Sequence, residues 1–96
     1  MKVGDIITVV ALSGEYVGEV SSLDKLVINK PRMILQSQDG KMGFAKGVAV
    51  TGEENPETMM FDSYVFATTT NENIANAWKE ATGKIVVQNP KVKVVS

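Results

Sequence analysis

From Asp5 to Leu12 the chain reads DIITVVAL. Apolar residues stand at consecutive positions and most are β-branched, the pattern of a strand covered on both faces. Ser13-Gly14-Glu15 is predicted to turn, since glycine supplies the positive φ of a tight hairpin. Glu15–Ser22 then alternates, with Tyr16, Gly18 and Val20 on one face and Glu15, Val17 and Glu19 on the other. A glycine in mid-strand marks a bulge or sharp bend, so Gly18 predicts a strand serving two sides of a small barrel. Leu23-Asp24-Lys25 is the next turn. Leu26-Val27-Ile28 opens a third strand, which Pro31 is expected to interrupt because proline has no N–H for the ladder. Met33-Ile34-Leu35 resumes it, and the polar run Gln36–Gly40 ends in the hairpin signal Asp39-Gly40. Lys41–Val50 is open between strand and ordered loop, and Gly52–Glu57 reads as loop.

Two short apolar bursts follow, Met59-Met60-Phe61 and Tyr64-Val65-Phe66, separated by Asp62-Ser63. Two strands with a two-residue corner fit them, as does one kinked strand. Neither burst alternates, which predicts cover on both faces, and in so small a protein a second subunit is a natural source of it. One helix is expected over about residues 70–82. Thr69 is its predicted cap, with Glu72 completing a capping box, and Ile74, Ala77, Trp78 and Ala81 form its apolar stripe. Gly83 ends it in the left-handed conformation. Lys84–Gln88 reads as a further short strand, and Lys91–Val95, alternating lysine and valine, as an edge strand or tail.

Composition narrows the chemistry. The 96 residues make one domain, 44% apolar, with neither cysteine nor histidine. That leaves no disulfide, no thiolate, no Ser-His or Cys-His couple and no imidazole for a metal, so no enzyme is expected and no cofactor. The apolar run behind Lys2 is too short to span a bilayer and carries Asp5 in its flank, which argues against a signal peptide. A cytoplasmic, membrane-free setting fits both facts.

Charge is unevenly spread about a net of −1. Residues 25–47 hold Lys25, Lys30, Arg32, Lys41 and Lys46 against Asp39 alone, while residues 48–78 hold five acids and no cation. The basic third suits an anionic partner, or equally a lysine-guarded strand edge. Gly40–Gly47 (GKMGFAKG) lacks the Gly-Lys-Ser/Thr ending of a phosphate loop. Glu53, Glu54 and Glu57 lack calcium-loop spacing and read as a solvated acidic loop. Asp62, between Phe61 and Tyr64, is either a turn former or a ligand-facing acid. Phe44 between Lys41 and Lys46 is the one place where an aromatic and cations interleave, as base stacking requires. Trp78 belongs to the core.

These features together resemble the Sm and Sm-like (LSm) proteins. Glu15-Tyr16-Val17-Gly18 and Leu23-Asp24 fall at the spacings of the family's first motif, although Ile28 stands where the family has a base-contacting Asn, with Asn29 one place late. The two bursts match the shape of its second motif, with Asp62 and Ser63 in place of Arg-Gly. Asn29-Lys30-Pro31, Gly40-Lys41-Met42-Gly43-Phe44 and NENIANAWKEATGKIV (71–86) most resemble Sm-like proteins of marine tailed phages, cyanophages among them.

The resemblance implies a mostly β fold, a small, strongly bent five-stranded open barrel, here with one α-helix near the C-terminus followed by a short strand. It implies a homo-oligomeric ring whose subunits pair through Met59, Met60, Phe61, Tyr64, Val65 and Phe66. Its base-contact loops would be Asp24–Asn29 and Asp62-Ser63-Tyr64, with RNA or single-stranded DNA as ligand. Lys25, Lys30, Arg32, Lys41 and Lys46 are the candidate phosphate contacts, and Asn29 and Phe44 accompany them. The departures at Ile28, Asp62 and Ser63 point away from a conventional uridine pocket and toward weak, electrostatic binding. A protein-binding adaptor ring, in phage assembly or host takeover, is the competing expectation.

Overall fold

The computed structural model describes residues 1–83. Strands β1 (Ile6–Ala11) and β2 (Gly14–Ser22) form a hairpin with Ala11 opposite Gly14. The turn is therefore Leu12-Ser13, one place earlier than expected, and Gly14 opens β2. A Cβ there would lie 2.7 Å from Cε of Met33, the movable end of a flexible side chain, and 3.4 Å from the Tyr16 hydroxyl. That hydroxyl is hydrogen-bonded to Ser13 Oγ at 2.7 Å.

Strand β3 (Leu26–Gln36) pairs antiparallel with β2, and the ladder steps from Val17–Arg32 to Glu19–Asn29. Gly18 thus faces the two-residue stretch Lys30-Pro31, a bulge that bends both strands. A Cβ on Gly18 would stand 2.8–2.9 Å from Ile28 and 3.0 Å from the Asn29 carbonyl. The expected break at Pro31 does not occur. Proline sits inside the bulge, where the ladder asks for no N–H, and β3 continues through it as one strand.

The other edge of β3 is shared. Its first half pairs with β5 (Thr58–Phe61), in register Leu26–Phe61 to Asn29–Thr58, and its second half with β4 (Met42–Phe44). β6 (Phe66–Thr69) pairs with β1, with Val10 opposite Phe66 and Ile7 opposite Thr69. The described residues therefore form a mostly β fold of six antiparallel strands in the order β4-β3-β2-β1-β6, with β5 joined to β3. Five strands were expected; β4 supplies the sixth, settling Lys41–Val50 as a three-residue strand followed by loop. β6 also begins two residues later than the second apolar burst, leaving Tyr64 and Val65 in the connection, where Val65 N–H still reaches the Val10 carbonyl at 2.8 Å.

The core gathers Ile7, Val9, Tyr16, Val20, Leu26, Ile28 and Phe61. Tyr16 and Phe61 meet edge to face with centroids 5.7 Å apart, a geometry that adds to their area burial. Val17 points away from Tyr16 and Val20 yet is buried, so β2 is covered on both faces. Helix α1 (Glu72–Thr82) packs against β2 and buries Trp78 completely.

Two details of the helix differ from expectation. Asn71 is the cap, its side-chain oxygen accepting from Ile74 N–H at 2.9 Å, because Thr69 is held in β6. Thr70, the residue between, is buried with its hydroxyl bonded to Thr8. The inward stripe is Ile74, Ala75 and Trp78, with Ala77 and Ala81 exposed. Gly83 ends the helix at φ 75°, as read from the sequence. The strand expected at Lys84–Gln88 and the segment Lys91–Val95 lie outside the described residues. Among the described residues no helix is long and apolar enough to cross a membrane.

Candidate ligand cleft and open strand edges

The turn Leu23-Asp24-Lys25 and the end of β5 converge because β3 and β5 are antiparallel partners: Leu26 faces Phe61, so the residues beyond each also meet. Between them opens a cleft of about 320 Å³, lined by residues 23–26 together with Phe61, Asp62 and Tyr64. Phe61 is its buried floor, and Tyr64 stacks edge-on against it at 6.2 Å. Of the two base-contact loops that the resemblance implies, Asp24–Leu26 meets Asp62 and Tyr64 here, whereas Val27–Asn29 runs on in β3 away from the cleft.

The cleft sets one cation, Lys25, against two acids, Asp24 and Asp62, and that cation is already engaged. Lys25 Nζ lies 2.7 Å from Asp62 Oδ1. That hydrogen bond and the lysine's charge hold the Asp62 carboxyl below the ordinary aspartate range. Asp62 is accordingly both a corner residue and an acid facing the cleft, and Ser63 beside it is exposed.

At the far end of the β3–β5 ladder a second pair repeats the arrangement. Lys30 Nζ stands 3.5 Å from Glu57 Oε1, so both ends of the four-pair register carry an ion pair. Glu57, read from sequence as loop, has this further role, which no local signal reveals because it depends on strand pairing. Asn29 is half-buried within the ladder, between Glu19 and Thr58.

Arg32 departs most from its expected place. It is only 9% exposed, and its Nη1 donates to the Pro31 carbonyl at 2.9 Å. Burial lowers its pKa below arginine's ordinary value, and the negative charge of Glu57 partly opposes this. A guanidinium so placed is unavailable to a phosphate on the surface. Lys41 and Lys46 are exposed and flank half-buried Phe44, but on β4 and the loop after it, against the half of β3 that does not meet β5. The candidate cations are therefore spread along both halves of β3 and its partners.

The expected interface residues also separate. Phe61 is buried and Met59 packs on the core. Met60, Tyr64, Val65 and Phe66 remain 67%, 44%, 59% and 51% exposed, so the described residues do not supply the cover expected on both faces. Among the described residues β5 pairs only with β3, and β6 only with β1, so each presents an open backbone edge.

Among the described residues no three acids gather where they could hold a metal ion. A scan against protein-family models finds no match to the chain. Searches of curated proteins and of solved structures likewise return none.

Proposed function

We propose that this chain is the subunit of a non-catalytic, homo-oligomeric ring of the Sm-like kind that binds RNA or single-stranded DNA weakly, by charge. Its setting is the cytoplasm, the host's if the source is a phage. One observation carries the reading: among the described residues two short strands, β5 and β6, each have an open edge and expose large apolar side chains beside it. Laying β5 of one copy against β6 of the next would satisfy both edges and cover Met60, Val65 and Phe66. Such a head-to-tail contact closes into a ring when the rotation permits. The path β6-β1-β2-β3-β5, with its register shift at Gly18, would suit a small open barrel.

The ligand half of the reading rests on the exposed cations Lys41 and Lys46 beside Phe44. Fluorescence anisotropy with short RNA and single-stranded DNA tests it. Binding is expected at about 50 mM salt and should fall steeply by about 200 mM, since phosphate contacts release counterions. Changing Lys41 and Lys46 together to Glu should weaken every sequence alike. Undetectable binding at low salt, or binding indifferent to salt, contradicts the proposal.

A second reading, an adaptor ring for protein partners, is favoured by how the cations are engaged and by apolar exposure elsewhere. Lys25 and Lys30 are each paired to an acid and Arg32 is buried, while Leu35, Met42 and Val50 are exposed apolar residues. An intact oligomer with no affinity for nucleic acid selects this reading.

A further inference from the structure

Lys30 is the one non-glycine residue with positive φ among those described, at 50°. An L residue adopts that conformation at a free-energy cost, and it persists only where its surroundings enforce it. Those surroundings are specific. The Lys30 amide donates to the Glu57 carbonyl at 2.7 Å. Its carbonyl accepts the Trp78 indole N–H at 2.9 Å. Its ammonium reaches the Glu57 carboxylate. Glu57 immediately precedes β5, and Trp78 is the one fully buried side chain of α1. A turn of this residue to extended backbone would swing the N–H and C=O away from both partners at once.

We propose that Lys30 is a conformational joint: its left-handed backbone ties helix α1 to the lead-in of β5, so that docking of Trp78 holds this edge strand in place. Lifting α1 then loosens β5, and loosening β5 weakens the seat of α1. The bearing of the joint on assembly rests on the ring reading above, because β5 is one of the two proposed pairing edges. The joint itself does not.

Two substitutions that both remove the ammonium isolate the backbone. Asparagine tolerates the left-handed region, whereas β-branched valine does not. The readouts are amide hydrogen exchange at residues 58–61 and the emission of Trp78, the chain's single tryptophan. Lys30→Val should speed exchange in β5 about tenfold relative to β1–β2, the effect of losing one buried hydrogen bond, and should shift Trp78 emission to the red. Lys30→Asn should leave both within about twofold of wild type on the same reasoning. The joint is overturned if valine leaves both readouts unchanged, or if asparagine loosens β5 as much as valine does. Should Lys30→Val fail to fold, Trp78→Phe keeps an aromatic ring without the N–H; it should still speed β5 exchange several-fold, and unchanged exchange would overturn the joint. The solution mass of the wild-type chain answers the ring reading separately.

Discussion

At the scale of single residues, the bend of β2 depends on an absent side chain. A methyl at Gly18 would press on Ile28 and the Asn29 carbonyl, both packed within β3, so neither can yield cheaply. Gly18→Ala should therefore lower unfolding stability by about 1–3 kcal/mol in urea, the usual cost of overpacking. Gly43→Ala, where a Cβ meets nothing within 4 Å, should stay within about 0.5 kcal/mol of wild type. Asp62 offers a different test. Its folded pKa is depressed by Lys25, so the pair's contribution is complete above the ordinary aspartate range and fades as pH falls through the lowered value. A carboxyl-resolved NMR titration should find Asp62 below the usual range, and Lys25→Ala should return it there. Asp39, lowered chiefly by the Ser37 hydroxyl, should not move in that variant. If Asp62 titrates normally in the wild type, the ion pair across the cleft is not formed in solution.

Among the elements, the legible ones were those specified by residues close in sequence. β1, β2, the Asp39-Gly40 hairpin and the glycine stop of α1 follow from local apolar pattern and turn chemistry. What escaped depended on pairing between distant segments. β3 runs through Pro31 because its two residues Lys30-Pro31 bulge opposite the single Gly18 of β2, and that pairing is set by another strand. β6 begins at Phe66 because β1 sets its register, and it thereby takes Thr69 and passes the capping role to Asn71. That assignment is directly checkable. Asn71→Ala should cost about 0.5–2 kcal/mol, while Thr69→Ala, at an exposed strand position, should cost no more than about 0.5 kcal/mol; the reverse order would restore the expected cap. Trp78 was legible as core. Its hydrogen bond to Lys30, 48 residues away, was not, since nothing local predicts the positive φ that presents that carbonyl.

For the whole molecule, Asp24–Leu26 meets Asp62 and Tyr64 as expected of a ligand site, but Lys25 and Lys30 are paired to acids and Arg32 is buried. Sequence gives the sign of Lys25, Lys30 and Arg32; their partners Asp62 and Glu57, and the burial of Arg32, come only from strand register. The apolar bursts were visible in the chain, whereas the exposure of Met60, Val65 and Phe66 is a property of the fold. That exposure makes self-assembly the central claim, and it predicts that a charge placed at the edge is disruptive. Phe66→Lys should dissociate the oligomer while leaving the circular dichroism of the folded chain intact, because the ring of Phe66 is half outside the single subunit. The most direct test is the mass of the wild-type protein in solution, by light scattering after gel filtration. Edge-to-edge assembly predicts one species at a whole-number multiple of the 10.4 kDa chain, persistent on dilution. A single folded species at the mass of one chain would contradict it.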